Sequence, residues 1–465
     1  MPEKLHEATF DVVVVGGGAS GVAAALSAAR NGARTLLLDA GPSVGGELLS
    51  GINLLGSRSS NGEKIVGGVI DELMEECNKY GGYIGVISDF RPLYYLSFDP
   101  EIMKIAVTSL LQKAGVELWL YSMATDVVMN RDEIAGVIVV NKSGRTLVRA
   151  NAFLDCSGDA DLAIAAGASF ESGDSLTGSF QSVTMIFRMI GVDTPRLLEF
   201  LKSAPENFAI SEEAFESIAV SRSEAIEGLC RQALPKLALS GTGPLLTRAI
   251  DSGEMYETSI MAIAPVSMAR REVSINSTKV SDIDAADPKA LSKGYSTLLT
   301  QAMIGERFLR KNVPGFEAAT FSGLAPRVGI RETRRIVGEY VLTGEDITSA
   351  RKRTDGIARG GHPIDVWVKG RGVHWQIVKD GGSYDVPFGC MIPKGIANLL
   401  VAGRCLSSTR EGQASARVMG TCLAMGQAAG TAAALFPDAS DNKKDFRGLS
   451  IERLRKKLTE QGAII

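Results

Sequence analysis

The stretch FDVVVVGGGASGVAAALSAARNGARTLLLDA, Phe10 to Ala40, decides how the chain is read. Val12 to Val15 is an unbroken β-branched run, and such runs suit strands buried on both faces of a parallel sheet. Gly16 to Gly21 follows at once. The Ala-rich segment Val22 to Asn31 then reads as a helix ended by Gly32, and Thr35 to Leu38 reads as a second strand. The expectation is a βαβ unit in which Gly16 makes the tight turn, Gly18 lets the backbone approach a pyrophosphate, and Gly21 lets the helix lie close to the sheet. The helix start at Ala19 and Ser20 offers free N–H groups and a partial positive charge to phosphates. Asp39, with Ala40 beside it, lies 18 residues past the last glycine, at the strand end where a carboxylate binds ribose hydroxyls. A Gly-rich hexapeptide alone is weak evidence. In this strand, helix and acidic context it makes dinucleotide binding the strongest inference from the sequence.

Working outward, 465 residues exceed what one hydrophobic core usually supports, so two packed domains are expected. Fifty Lys and Arg stand against 53 Asp and Glu, a net charge of -3 with the signs mixed along the chain, which argues against a nucleic-acid or anionic-membrane partner. Six scattered cysteines include no close pair suited to a redox dithiol or a zinc site, and no metal is expected; they read as buried thiols in a reducing cytosol. Met1 to Thr9 is polar and carries no secretory signal. The longest small, apolar run, Thr421 to Phe436, is interrupted by Gln427 and falls short of the roughly 20 residues a membrane span needs. A soluble, cytoplasmic protein without a membrane span is the expectation. The 51 glycines imply many turns and close backbone approaches, which suits a nucleotide cofactor.

Gly45-Gly46, followed by Glu47, comes six residues past Asp39 in a loop placed to wrap a cofactor. Together with the hexapeptide and the acidic strand end, it resembles the glutathione-reductase-type flavoprotein fold, in which FAD lies extended with its adenosine end on the first βαβ unit. Phe153 to Asp161 resembles the strand-plus-Gly element that returns under the cofactor, with Cys156-Ser157-Gly158 where Ala-Thr-Gly is usual. Asn398 to Arg404 resembles the late strand that brings the chain to the flavin. After it, Met419-Gly420 opens a Gly- and Ala-rich helix to Leu435, whose N-terminus would face the isoalloxazine ring and stabilise negative charge there. Tight packing is the alternative reason for its small residues. The resemblance also places Ala124 where the adenine rests.

A closer resemblance is to bacterial FAD-dependent oxidoreductases, carried by Arg327 to Gly338, Val313 to Phe316, and Gly389 through Lys394. It spans nearly the whole chain, with 195 to 255 matching least. FAD is therefore the implied cofactor. Where the broader class has Gly-Asp this chain has Gly403-Arg404, so an Asp contact to the ribitol does not carry over, and Arg404 is expected to face flavin or substrate.

The implied fold class is α/β: a Rossmann-like FAD-binding domain, discontinuous in sequence, with an α+β substrate domain. Residues 1–178 form the FAD-binding domain, with a helical excursion over about 50–98 that includes a helix at Glu63 to Tyr80. Residues 179–388 form the substrate domain, opened by a strand at Phe180 to Val192, mostly helical over 195–255, and carrying a long helix at 290–312. Residues 389–437 return to the FAD-binding domain, and 438–465 form a helical tail, read as one exposed helix. Asp99 to Ala114 reads as a helix, Val116 to Val128 and Glu133 to Val140 as strands.

Flavin supplies the redox chemistry, so the protein must position a small-molecule substrate and move protons. Of three histidines, His6 lies in the polar lead, leaving His362 and His374 as imidazoles able to act near neutral pH, each with a structural role as the alternative. The resemblance implies a His two residues after Asp365, where this chain has Trp367, which weakens any transfer of mechanism. Arg327, Arg331, Arg334 and Arg335 could clamp a carboxylate, although ion pairing with Glu332, Glu339 and Asp346 is favoured. Gly241-Thr-Gly243-Pro follows no convincing strand, so no second dinucleotide domain is expected. No CxxxxC disulfide or cysteine cluster for an iron–sulfur centre occurs. What remains is oxidation of a small molecule by hydride transfer to flavin N5, with electrons leaving to O₂, quinone or a carrier protein. The alternatives are reduction of an activated C=C bond and a non-catalytic FAD-binding protein. Substrate, oligomeric state, including a homo-oligomer, and the mode of FAD attachment stay open.

Overall fold

A computed structural model of the chain describes residues 5–91, 93–210, 220–232, 235–367, 373–436 and 445–465, without the side chains of 367, 373 and 374. The Val12–Val15 strand, the Ala19–Arg30 helix and the Thr35–Leu38 strand form the βαβ unit. Both strands are buried along their whole length and pair in parallel, Val12 opposite Thr35. Ala152–Asp155 pairs in parallel on the other side of Val12–Val15, Leu399–Val401 lies beyond it, and Glu117–Trp119 closes the opposite edge. The resulting five-stranded parallel sheet draws on distant parts of the chain.

The unbroken valine run has a direct structural reason. Val12 and Val14 pack into a core with the Ala19–Arg30 and Met419–Leu435 helices. Val13 and Val15 point the other way, into a core shared with Ile134, Val137, Val139 and Val148 of a second sheet. That four-stranded sheet runs in the order His6–Thr9, Gly144–Arg149, Glu133–Asn141, Met123–Asn130. With both faces covered, no position in the strand tolerates a polar residue, and each buried Val contributes about 1.5–3 kcal/mol of transfer free energy.

Two glycines of the hexapeptide meet steric requirements. Gly16 has φ +95°, and a Cβ there would stand 2.5 Å from the Cys156 carbonyl oxygen. A Cβ on Gly21 would overlap the Gly16 carbonyl oxygen, so only glycine lets the helix leave the strand at this distance. The Met419–Leu435 helix is buried on all sides, and its glycines serve close packing: a Cβ on Gly426 or Gly430 would run into the backbone of Ser20 or Ala24.

A further hydrophobic core lies apart from these two. Its five-stranded antiparallel sheet runs Leu237–Ser240, Ile260–Ser267, Glu272–Asn276, Phe187–Ile190, Thr320–Leu324. Phe187, Phe308 and Phe316 are fully buried between this sheet and the Pro288–Asn312 helix, which Asp287 caps by accepting from the Lys289 N–H.

Several elements depart from the sequence reading. The helix expected from Glu63 spans only Val69–Lys79, because Gly68 at φ +76° breaks the backbone just before it; Ile65 and Val66 are buried but not helical. The rest of the excursion is a hairpin, Tyr83–Ser88 with Tyr94–Phe98. The strand expected over Val116 to Val128 breaks near Tyr121, φ +51°, into two strands in different sheets. Phe180 to Val192 is regular only over Phe187–Ile190. Between 195 and 255 the described residues hold three α-helices, Thr194–Ser203, Arg222–Arg231 and Pro244–Asp251, a short 3-10 helix, Pro205–Asn207, and the Leu237–Ser240 strand.

That strand corrects the reading of Gly241-Thr-Gly243-Pro, which does follow a strand and precede a helix. The strand pairs antiparallel with Ile260–Ser267 at a sheet edge, so no βαβ unit forms around it. The tail is also not an exposed helix. Residues 437–444 lie outside the described residues, and in the Ile451–Glu460 helix Leu454 and Leu458 are fully buried in the main core. Among the described residues no single helix is long and apolar enough to cross a membrane.

Gly426→Ala tests the helix contact. In an exposed helix this change gains up to about 1 kcal/mol of helix propensity; here the new Cβ meets the Ser20 backbone, and denaturant titration is expected to read a loss of about 1–3 kcal/mol.

Candidate active site

The loops that follow three neighbouring strands of the parallel sheet converge: Gly16 to Gly18 after Val15, Cys156 to Asp159 after Asp155, and Ala402 to Arg404 after Val401. They line a cavity of about 330 Å³ at the carboxyl ends of the strands, where open α/β sheets bind their ligands. Gly18, Ala19, Ser20, Gly46, Glu47, Cys156, Ser157, Gly158, Gly403, Arg404, Met419 and His362 all stand on its wall.

The glycine-loop end fits a dinucleotide. The Ala19–Arg30 helix begins at Gly18 without a side-chain cap and without an acidic residue in its first turn, and the Ser20 hydroxyl is turned away, donating to the Cys422 carbonyl at 2.9 Å. A Cβ on Gly18 would meet nothing within 4 Å, which leaves open space above the helix start for a phosphate. Asp39 stands behind this wall. It accepts the Gly17 N–H at 2.8 Å on one oxygen and the Gly41 N–H at 2.7 Å on the other, so it anchors the loop with lone pairs to spare for a ribose. Gly45 donates its N–H to the Gly17 carbonyl at 2.6 Å, which brings Gly46 and Glu47 over the hexapeptide. Glu47 is half-buried, and burial raises its carboxyl against the pull of the nearby Arg327, Arg404 and Arg331 guanidinium groups.

Other expected residues stand off the cavity wall. Gly16 and Gly21 shape the turn and the helix contact beneath it. Ala40 is exposed at its strand end, and Ala124 packs partly buried in the four-stranded sheet. Gly420 lies against Gly56 and gives its N–H to the Leu55 carbonyl at 2.8 Å, so that donor of the Met419–Leu435 helix start is taken by the protein itself. The side chain of His374 lies outside the described residues. Arg404 reaches the cavity but is held from three sides: Nε donates to the Gly158 carbonyl at 2.9 Å, Nη2 to Asp159 at 2.7 Å, and Nη1 to the Ile330 carbonyl. Its reach ties the late strand to the Cys156–Asp159 loop.

Away from the glycine loop the cavity is walled by charged and aromatic groups. His362 is 3% exposed, and its Nδ1 lies 2.7 Å from the Pro363 carbonyl oxygen. A carbonyl only accepts, so this contact assigns the ring proton to Nδ1 and leaves the Nε2 lone pair as the base. Burial lowers the imidazole from its ordinary value, only partly opposed by Asp365. Trp375 lies 6.2 Å from the His362 ring, and Asp365 pairs with Arg417 at 2.8 Å. Of the four clustered arginines, Arg335 pairs with Glu332 at 2.7 Å inside the protein, as ion pairing leads one to expect, and Arg334 pairs with Asp161. Arg327, 3.9 Å from Asp39, and Arg331, whose Nη1 donates to the Ser182 carbonyl at 2.6 Å, line the cavity. The other two expected partners are engaged elsewhere, Glu339 with Arg447 and Asp346 with Arg351.

Sequence reasoning missed a second group on this wall: Asn53, Arg91, Tyr95, Lys236 and Arg417. A readable signal existed for one of them. Lys236 is a lone cation inside the otherwise apolar run Ala233 to Leu239.

A parallel sheet with a glycine-bounded helix start and a cavity at its carboxyl edge is the arrangement of a nucleotide-binding protein of the Rossmann class. The chain belongs to the FAD-dependent oxidoreductase family, whose model matches residues 11–458. It is an enzyme, and its cofactor is FAD. Similarity to solved structures is distant. A geranylgeranyl bacteriochlorophyll reductase-like protein from Thermoplasma acidophilum is 12% identical, with 98% of this chain and 84% of that chain covered and a TM-score of 0.47. A flavin-dependent brominase is 13% identical over 97% and 84%, TM-score 0.47. The p-nitrophenol 4-monooxygenase from Pseudomonas putida is 10% identical over 97% and 85%, TM-score 0.45.

Because the space beyond Gly18 is open, Gly18→Val separates folding from cofactor binding. The apoprotein is expected to keep its thermal midpoint within about 2 °C. FAD affinity, followed by fluorescence titration, is expected to fall at least about tenfold as the side chain enters the pyrophosphate space.

Proposed function

We propose that this FAD-dependent oxidoreductase oxidises a small organic substrate and that His362 takes the proton released in that oxidation. The observation that carries the reading is the fixed tautomer of a buried imidazole on the wall of the cofactor cavity. FAD, when bound, would supply the two-electron acceptor for the hydride at N5. The accompanying proton, from the substrate hydroxyl or amine, goes to the Nε2 lone pair. Burial keeps the ring neutral at pH 7 and so ready to accept. Trp375 and Leu93 supply apolar walls that exclude water from the reacting atoms, and Asp365, held by Arg417, stands near enough to stabilise the imidazolium once it forms. O₂, quinone or a separate carrier would take the electrons onward.

A second reading has one observation in its favour. Arg331 lines the cavity with its Nη1 held by the Ser182 carbonyl at 2.6 Å, which fixes a guanidinium at the wall, and burial lowers it from its ordinary value. A proton donor of that kind suits reduction of an activated C=C bond.

Spectra of the purified holoenzyme, recorded anaerobically as hydroxy acids, amines, sugars and unsaturated acids are added, distinguish the two. Bleaching of the flavin band by one compound class is expected. A flavin bleached only by dithionite and then reoxidised by an unsaturated acid would make the enzyme a reductase.

With the reducing substrate in hand, His362→Gln is expected to slow flavin reduction by about 10²- to 10⁴-fold while the protein keeps its FAD. The wild-type kcat/KM is expected to fall on the acid side. The neutral imidazole is the active form and burial lowers its pKa, so the midpoint of that limb should lie below about 6.5.

A further inference from the structure

Lys236 stands just before the Leu237–Ser240 strand, 6% exposed, on the wall of the same cavity. Its Nζ lies 3.4 Å from the centroid of the Tyr95 ring, and it makes no hydrogen bond or ion pair with any described residue. The nearest carboxylate, Asp89, is already occupied. One of its oxygens takes Arg91 Nη2 at 2.7 Å, Arg91 Nε at 3.1 Å and the Tyr95 hydroxyl at 2.5 Å, while the other takes the Arg91 N–H at 3.1 Å. Arg91 thus balances the one negative charge, and the Lys236 ammonium is left over a ring face without a counter-ion.

A buried cation without a partner is costly, and proteins keep such groups where a ligand completes them. The surroundings place Lys236 on the His362 side of the cavity. Tyr95 clusters with Leu93, Leu55 and Trp375, and Trp375 adjoins His362. The charge of the whole cavity points the same way: six Lys and Arg line it against three Asp and Glu. The FAD pyrophosphate has its own site at the glycine loop.

We propose that Lys236 binds the carboxylate of the substrate, which makes the substrate a small organic acid with an apolar body seated against Tyr95 and Trp375. This rests on the reading of His362 as the proton acceptor, because the acid is held there for its hydroxyl- or amino-bearing carbon to meet that ring. Lys236 is a positioning and specificity residue, and no bond changes at it. Its state supports the assignment. Burial lowers the ammonium to about 7 against the pull of Asp89, with Arg91 adding to the fall. The groups facing it are Asp89, Arg91, Tyr95 and, at longer range, His362. At pH 8 most Lys236 is therefore neutral, and a docking carboxylate should draw a proton onto it.

Calorimetric titration of the holoenzyme at pH 8 with matched acid and amide pairs, lactate with lactamide and phenylacetate with phenylacetamide, tests this. Runs in two buffers of different ionisation enthalpy report proton uptake. At least one acid is expected to bind ten or more times tighter than its amide, with uptake approaching one proton. Lys236→Met should weaken that acid about tenfold or more, leave the amide unchanged and abolish the uptake. Lys236→Arg should keep the acid preference without proton uptake, and it serves as the test if the Met variant does not fold. Equal binding of acid and amide across the panel, or an unchanged acid affinity in both variants, would overturn the proposal. Calorimetry does not depend on flavin reduction. Acid binding that survives in His362→Gln while reduction is lost upholds the Lys236 site, and acid binding without any flavin bleaching in the wild type defeats only the oxidation reading.

Discussion

The structure rests on one constraint: the Val12–Val15 strand must be dry on both faces while its end opens to a ligand. Alternate valines enter two different cores, one built with helices and one with a second sheet, so the strand cannot slide by a residue without exchanging its environments. The chain then turns at Gly16 and enters the helix within a few residues, because Cβ atoms at 16 and 21 would collide with backbone. The close approach of the Ala19–Arg30 and Met419–Leu435 helices, glycine against backbone, extends the same requirement across the C-terminal part of the chain. Three strand ends are held side by side as a result, and the cavity is the space their loops enclose.

Charge inside that cavity is arranged by burial as much as by pairing. Arg404, Arg417 and Arg91 each find an acidic partner, and the Arg404–Asp159 and Arg417–Asp365 pairs tie distant segments together. His362, Arg331 and Lys236 are shifted toward their neutral forms, with burial the largest cause for each. Lys236 and Arg331 thereby titrate closer to neutrality than usual, while His362 is held in its neutral, proton-accepting form. The glycine-loop end, by contrast, offers backbone N–H groups and a helix start, which hold an anion without needing a titratable side chain.

Much of the fold was legible in the sequence because the elements that carry it are local. The Thr35–Leu38 strand and the Met419–Leu435 helix match their expected bounds, and the Pro288–Asn312 helix begins two residues before its expected start. Misreadings fall where a single backbone conformation overrides a pattern. Gly68 stops a helix whose apolar spacing continues before it, and the turn at Tyr121 divides an apolar-rich run between two sheets. The tail looked exposed because its charged residues outnumber its apolar ones, yet Leu454 and Leu458, four apart, suffice to bury one face.

The site divides in the same way. By itself the sequence singled out the glycine-loop end, since the hexapeptide, Asp39 and Gly46 act through local backbone geometry and fixed spacing, and the resemblance to flavoproteins follows from them. Only the tertiary structure brought together the residues proposed to meet the substrate. Arg91 and Tyr95 come from a hairpin, Lys236 from the start of an edge strand, and His362 and Arg417 from late loops; hundreds of residues of chain separate some of them. No spacing rule links such positions, because what brings them together is the packing of two cores. Whether a lysine has a partner is a property of the space around it, and that space exists only once the chain has folded.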